Sequence, residues 1–298
     1  MSQSSAPTTP NIAVVTVSYG SEDVLGPFLD SLSGASAFPL RIVVADNKAQ
    51  GETTAEEATS RIEELASECG AQYLPMSSNR GYGHAINQAV QVLAPDVEWV
   101  VISNPDVIAG LGAIDLLVDT LRSDHTIAAV GPRILTTAGE IYPSARRIPS
   151  LFGGIGHALF SHVWPSNPWT RAYRHEATAS PTRRDAGWLS GAFLVVRRSA
   201  LERLHGFDED YFMYFEDVDL GYRISKIGLR SVYEPDAVVT HTGAHSTSIE
   251  AVSMLGAHHR SAKRFLSKQY PGVLLWPVRY LLGAGLDLRS WLFERRSH

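Results

Sequence analysis

The chain has 298 residues, 44% of them hydrophobic and 19% charged, a composition that supports one large or two small domains with a proper core and excludes bulk disorder. Its formal net charge of -5 excludes non-specific nucleic-acid binding through a basic face that displaces counterions. The one cysteine, Cys69, excludes an internal disulfide and a cysteine-built zinc cluster, and a reducing cytoplasm is the simplest home.

Met1 to Pro10 is Ser, Thr and Pro without an apolar centre, so residues 1–10 are expected to form a disordered tail rather than a secretory signal. Asn11 to Tyr19 (NIAVVTVSY) is a β-branched run without polar alternation, as in a strand buried on both faces of a parallel sheet. Gly20 and Ser21 end it. Val24, Leu25, Phe28, Leu29 and Leu32 then recur at helical spacing, and Leu40 to Asp46 (LRIVVAD) is a second buried strand. Such units close right-handed and bind ligands beyond the carboxyl ends of their strands, which is where Ser18, Tyr19, Asp46 and Asn47 fall. No G-x-G-x-x-G follows the first strand, so a dehydrogenase-type dinucleotide site is unsupported. Asp46 instead accepts hydrogen bonds from a nucleotide base or ribose, or simply ends its strand as a turn residue.

Thr53 to Cys69 reads as a surface helix and Ala71 to Pro75 as a short strand. In Asn79-Arg80-Gly81-Tyr82-Gly83-His84-Ala85-Ile86-Asn87 two glycines precede a helix. They either let amides approach a phosphate at the helix start or only begin the helix. Glu98 to Ser103 is another buried strand that delivers Asn104-Pro105-Asp106. Proline stops the ladder, so Asp106 is expected to project from the strand tip instead of continuing into the sheet. There it holds a divalent cation that grips a diphosphate, or closes an Asx turn. Leu111 to Leu121 reads as an amphipathic helix and Ile127 to Ile134 as a further strand.

Between Thr136 and Arg184 periodicity fades, and aromatics mix with arginines. That content suits either a site for an anionic, partly lipidic acceptor or a solvated loop. Asp185 to Arg197 (DAGWLSGAFLVVR) restores the buried-strand pattern, with Trp188, Leu189, Ser190 and Gly191 at its start. Leu201 to Phe207 reads as a short helix, followed by Tyr211-Phe212-Met213-Tyr214-Phe215-Glu216-Asp217-Val218-Asp219. If a helix begins near Glu216, rotation of about 100° per residue puts Glu216 and Asp219 on one side and Asp217 on another. A carboxylate beside rings and other carboxylates can have its pKa raised into the range of a general base; the bland alternative is an acidic first turn facing the helix dipole. Val218 to Ile227 continues that helix, Arg230 to Tyr233 is a last strand, and Val238 to Ser248 presents His241 and His245 as metal ligands or structural histidines.

No uncharged apolar stretch approaches the roughly 18 residues of a membrane span. From Tyr270 to Arg296, however, Leu, Trp and Tyr alternate with Arg279, Arg289, Arg295 and Arg296. The pattern suits an interfacial segment on a membrane, a helix capping the core, or a contact in a homo-oligomer.

Taken together, VVTVSYG, VVADN, NRGYGHAIN, VISNPDV, GWLSGAFLVVRR, GFDEDYFMYFEDVDLGYR and VTHTGAHS resemble the family-two inverting glycosyltransferases, most closely their bacterial cell-wall rhamnosyltransferase branch. The resemblance implies an α/β GT-A fold: a Rossmann-like, mostly parallel sheet flanked by helices. The domain would span residues 11–248, with a nucleotide-binding half (11–134), an acceptor and catalytic half (135–248) and a C-terminal helical extension (249–298). It implies that Asp217 is the catalytic base. Asp106 and His241 would hold a divalent cation, Mg2+ or Mn2+. Ser18, Tyr19, Asp46, Asn79, Gly81, Gly83 and Asn104 would line the donor nucleotide-sugar, and Trp188, Leu189, Ser190, Gly191 and Glu216 would lie near donor sugar and acceptor. The implied donor is dTDP-L-rhamnose and the implied acceptor a polyprenyl-diphosphate-linked N-acetylglucosamine, as in an arabinogalactan linker. That places the protein peripherally on the cytoplasmic face of the cell membrane. The departure is Asn104-Pro105-Asp106, which supplies one acid where the family motif has two. Rival readings are a family-two enzyme using a UDP-sugar, a non-catalytic sugar-binding module, and a nucleotidyltransferase. The last would need a Gly-rich basic loop that SYGSEDVL does not offer.

Overall fold

Alternate residues of the first strand enter different cores, which is why its sequence shows no polar face. In β1 (Ile12–Ser18), Ile12 and Val14 join one apolar cluster while Ala13, Val15 and Val17 join another. The computed structural model describes residues 11–48, 53–149, 182–243, 251–272 and 277. After β1 come α1 (Glu22–Ala35), β2 (Leu40–Asp46), α2 (Thr53–Glu68), β3 (Gln72–Pro75), α3 (Tyr82–Gln91) and β4 (Trp99–Ser103). Next are β5 (Val107–Ala109), α4 (Ala113–Ser123), β6 (Ile127–Leu135), β7 (Ile141–Tyr142) and β8 (Ala145–Arg146). The described chain continues with β9 (Arg184–Ala186), β10 (Trp188–Leu189), β11 (Phe193–Arg197), α5 (Arg198–Leu204), α6 (Glu216–Lys226), β12 (Arg230–His241) and α7 (Ala251–Gln269).

The main sheet runs β3-β2-β1-β4-β11-β6-β12-β5. β1 pairs parallel with both β2 and β4, and β12 parallel with β6. β11 is inserted antiparallel between β4 and β6, so the two halves of the sequence share one sheet. Chain order reverses at β1 and β4, the topological switch point where open α/β sheets bind ligands. Ser18 and Asn104 lie at that edge.

Three stretches differ from the sequence reading. DAGWLSGAFLVVR is β9, β10 and β11 rather than one strand. β10 leaves the main sheet to pair with β8, and Gly187 at the break packs so closely that an added Cβ would lie 2.4 Å from the Ile148 amide nitrogen. Arg230 to His241 is a single 12-residue strand whose register shifts between Glu234 and Val238, around Pro235, which has no amide to donate. Beyond Asp106 the chain does re-enter the sheet, as β5 on the edge of β12 with Val107 opposite His241.

α7 packs on the segment that leads into α6. Phe265, fully buried, clusters with Tyr211 and Val218, Ser261 Oγ donates to the Met213 carbonyl at 2.9 Å, and Lys268 pairs with Asp208 (2.9 Å) and Asp219 (2.7 Å). From the other side Asn87 of α3 donates to the Phe207 carbonyl and accepts from the Phe207 amide. No helix among the described residues is long and apolar enough to cross a membrane. The tail Met1 to Pro10, His245 and nearly all of the stretch beyond Pro271 lie outside the described residues.

The same segment fixes the identity of Gly81. Its φ of 99° is left-handed, and a Cβ there would sit 2.2 Å from the Phe212 carbonyl oxygen, the atom that accepts the Tyr82 amide at 3.1 Å. Gly81→Ala should therefore cost about 3 kcal/mol or more, read as a lowered denaturation midpoint at unchanged slope.

Candidate active site

At the tip of β4, Pro105 ends the ladder and leaves Asn104 and Asp106 facing the end of β12. The Asp106 carbonyl accepts both the Thr242 amide (2.8 Å) and its hydroxyl (3.0 Å), which fixes the backbone. The largely buried Asp106 carboxylate places Oδ1 3.0 Å from His241 Nε2, and Asn104 Nδ2 lies 3.5 Å from the same nitrogen. The Tyr142 ring packs edge-on to His241 at 6.4 Å. Among the described residues no group of three His, Cys, Asp or Glu side chains converges as a metal cage, so an ion here would depend on oxygens from a ligand.

At the tips of β1 and β2, Asp46 is buried and accepts from the Tyr73 hydroxyl (3.1 Å) and the Lys48 amide (3.1 Å). Burial raises its carboxyl above the ordinary carboxylate range, and those two donors partly offset the rise. Asn47 Nδ2 donates to Asn79 Oδ1 at 2.9 Å, and that oxygen also accepts the Gly81 amide at 3.0 Å. Ser18 is fully buried and its Oγ has no hydrogen-bond partner among the described residues, whereas Tyr19 is exposed. The glycines of NRGYG have packing reasons. Gly81 meets Phe212, and a Cβ on Gly83 would lie 2.9 Å from Phe207 Cβ. The Gly81 and Tyr82 amides are already engaged, so this turn offers an anion fewer donors than its glycines suggested.

The acidic cluster divides differently from the helical-rotation expectation: Glu216 feels the charge of Asp217, and Asp219 is the acid that stands apart. Tyr214 and Phe215 both adopt left-handed φ (67° and 69°), unusual for bulky residues, and their rings rest edge-on against His258 of α7. Asp219 is fully buried and ion-paired to Arg223 (2.5 Å) and Lys268, a structural role. Asp217 turns towards the β10–β11 junction. Its Oδ2 accepts the Gly191 amide at 3.0 Å and its Oδ1 the Val218 amide at 2.7 Å. Burial pushes the Asp217 carboxyl up, while the two amides, its own backbone and Arg146 pull it back. Glu216 is buried and its Oε2 has no hydrogen-bond partner among the described residues; burial, then the charge of Asp217, pushes its pKa up to about 8.

The raised Glu216 pKa makes a stability prediction. Below its ordinary value of 4.5 the side chain is protonated in both states and carries no penalty. As pH rises towards about 8 the unfolded chain ionises first and the fold loses stability, reaching a constant deficit above that value. Glu216→Gln, which never ionises, should therefore gain on the parent between those limits, by on the order of a few kcal/mol at pH 8 to 9. Urea denaturation across that range checks it, and parallel pH curves would refute it.

The predicted sugar-side residues separate by role. Trp188 Nε1 donates to the Arg147 carbonyl (3.1 Å), with Arg146 over its ring at 5.9 Å. Leu189 turns its side chain into the core, where its Cδ2 would stand 2.9 Å from a Cβ on Gly131. Ser190 Oγ accepts the Ala192 amide at 3.3 Å. Sequence reasoning passed over Tyr82, whose hydroxyl donates to the Gly191 carbonyl at 3.0 Å. Burial, then the charges of Glu216, Asp217 and Asp106, hold its pKa well above the usual phenol value. Tyr82 thus lies within electrostatic reach of Glu216, Asp217 and Asp106. The signal in the sequence was a tyrosine set between two glycines at a helix start beside strand tips.

This sheet recurs in a mannosyltransferase from Pyrobaculum calidifontis solved with GDP-Man and Mn2+ (TM-score 0.58, 18% identity, 95% of this chain and 72% of that one). It recurs also in GalNAc-T7 with UDP, GalNAc and Mn2+ (TM-score 0.56, 15% identity, 80% and 44%). The fold is the GT-A fold of glycosyltransferases. Residues 10–257 match the model described as glycosyltransferase like family 2, and the chain belongs to that family. An N-acetylglucosaminyl-diphospho-decaprenol L-rhamnosyltransferase of Mycobacterium tuberculosis is 43% identical over 295 residues, covering 96% of this chain and 94% of the relative. The rhamnosyltransferase WbbL of Escherichia coli K12 is 26% identical over 264 residues, covering 87% and 93%.

Proposed function

We propose that the protein transfers L-rhamnose, with inversion, from dTDP-L-rhamnose to a hydroxyl of a polyprenyl-diphosphate-linked N-acetylglucosamine. The observation that carries a transferase of this kind is one shared turn. The Asn104 amide donates to the Ala192 carbonyl (2.9 Å) and the Gly191 amide to Asp217 (3.0 Å), so the loop that carries Asp106 and the Asp217 carboxylate are both tied to the turn at Gly191 and Ala192. The sugar and acceptor assignments draw their support from the 43% identical relative, whose name states both the sugar moved and the lipid-borne acceptor.

In this reading Asp217 takes the proton of the incoming hydroxyl as that oxygen attacks the anomeric carbon, and the nucleoside diphosphate departs from the opposite face. Two backbone amides hold the carboxylate, leaving its remaining lone pairs to receive the proton. Asp46, Ser18, Tyr19 and Asn79 serve the nucleoside, and Asn104 faces the diphosphate. Gly81 and Gly83 bring the wall of α3 against the Phe207 to Phe212 segment. The donor chemistry fits a divalent cation: a carboxylate oxygen and an imidazole nitrogen, Asp106 Oδ1 and His241 Nε2, converge to 3.0 Å of each other. Asp106 and His241 would hold it, with the Asn104 side chain alongside. When bound, such an ion offsets the charge growing on the leaving diphosphate. A polyprenyl acceptor places the work at the cytoplasmic membrane surface, reached by peripheral contact.

A panel of nucleotide sugars, with and without EDTA and with a polyprenyl-diphosphate N-acetylglucosamine acceptor, tests this. Turnover is expected with dTDP-L-rhamnose and Mg2+ or Mn2+, with an inverted product and none after chelation. Turnover of UDP-hexoses without dTDP-L-rhamnose would overturn the donor assignment.

A further inference from the structure

The turn that carries the Asp217 contact is itself held from a third side. Tyr82, on the first turn of α3, reaches across with its hydroxyl to the Gly191 carbonyl at 3.0 Å. An added Cβ on Gly191 would meet Tyr82 Cε1 at 3.7 Å on one flank and Asp217 Cβ at 3.6 Å on the other. The glycine is thus a backbone spacer between the phenol ring and the acid. Its amide points at Asp217 Oδ2 and its carbonyl at Tyr82, while Ala192 is tied to the Asn104 amide. The Tyr82 ring is steadied in turn, edge-on to Phe207 at 6.5 Å.

We infer that Tyr82 is a positioning residue for the base, acting through Gly191 to fix where the Asp217 carboxylate points relative to the Asn104 to Asp106 loop. The inference rests on the reading of Asp217 as proton acceptor. Without the hydroxyl the Gly191 carbonyl loses its donor and the spacer is free to shift. Its amide then aligns less well with Asp217 Oδ2, and a charge-assisted bond to the ionised acid weakens. Two consequences differ from those of a packing role. Turnover falls because a misplaced base is a poor base. The acid also becomes harder to ionise, because a hydrogen bond to its charged form has been lost. Among the described residues, the charged and titratable groups that act on Asp217 or on Tyr82 beside it are Glu216, Arg146 and Asp106; none of these is altered by the substitution.

Tyr82→Phe in the full-length protein tests this against the parent and Asp217→Asn in the same transfer assay. The expected result is a fall in kcat of about tenfold to a hundredfold and a shift of the acidic limb of kcat/KM to higher pH by about half a unit to one unit. Donor affinity by calorimetry and the melting temperature should stay close to the parent's. Unchanged kcat and pH profile overturn the inference, as does a loss in kcat/KM matched by a loss of donor affinity with the limb unmoved. The control separates the two failures. An active Asp217→Asn enzyme defeats the reading of the base, whereas an inactive one beside an unaltered Tyr82→Phe enzyme defeats only the positioning role.

Discussion

Asp217→Asn is expected to lower kcat by about a thousandfold while leaving donor affinity within about twofold of the parent's. The change is nearly isosteric and removes the negative charge together with the capacity to accept a proton. It also creates a conflict that the structure locates. Both carboxylate oxygens accept backbone amides, from Gly191 at 3.0 Å and Val218 at 2.7 Å. An amide side chain can present an oxygen to one of them, but must point its NH2 at the other. The new side chain will turn its oxygen to one amide and leave two donors facing each other, a cost of about 1 to 3 kcal/mol to stability that urea denaturation should detect. Neither effect reaches Asp46, at the tip of β2, or Asn79, which accepts the Gly81 amide. A variant that kept more than about a tenth of parental turnover would remove Asp217 from the role of base. A variant that lost donor binding in proportion would make it part of the donor site.

How far the sequence carried depended on whether a feature was local. β1, β2 and β4 were legible because strands buried on both faces have no polar period, and their tips gave Ser18, Asp46 and Asn104 directly. Helical rotation alone put Glu216 with Asp219 and set Asp217 apart, whereas the packing of α7 draws Asp219 to Lys268 and leaves Glu216 beside Asp217. What stayed hidden was set by distant partners. The break between β9 and β10 falls at Gly187, which packs on Arg147 and Ile148. The proximity of Asp106 and His241, 135 residues apart, is a matter of β5 pairing with β12, a register that no local pattern announces; only the likeness to a family suggested it. Left-handed φ at Tyr214 and Phe215 is equally illegible, since aromatic residues seldom adopt it; α7 holds that turn with contacts from residues about 45 positions later. Tyr82 was missed for another reason. A search for acids and bases passes over a neutral hydroxyl whose work is to hold a backbone carbonyl.

Asp106→Ala is expected to be the second most damaging change, with kcat/KM for the donor reduced by a factor of about a hundred to a thousand. Its damage should fall on different quantities from that of Asp217→Asn. The backbone at Asp106 is fixed by its own carbonyl, which accepts the Thr242 amide and hydroxyl, so losing the carboxylate leaves the strand tip in place. The fold should keep its melting temperature within a few degrees, while the binding of Mn2+ with the nucleoside diphosphate, followed by calorimetry, weakens sharply. Asp106 is the one acid of its loop, so no neighbouring carboxylate replaces it. His241→Ala should be milder, about tenfold, because a neutral imidazole contributes direction and one donor nitrogen but no charge. The order Asp106→Ala worse than His241→Ala, with part of either loss recovered at high Mn2+, follows from an ion held by one carboxylate and completed by substrate oxygens. Equal damage from both variants with no recovery would instead mean that the 3.0 Å contact between Asp106 and His241 is a structural hydrogen bond and that the ion, if used, sits elsewhere.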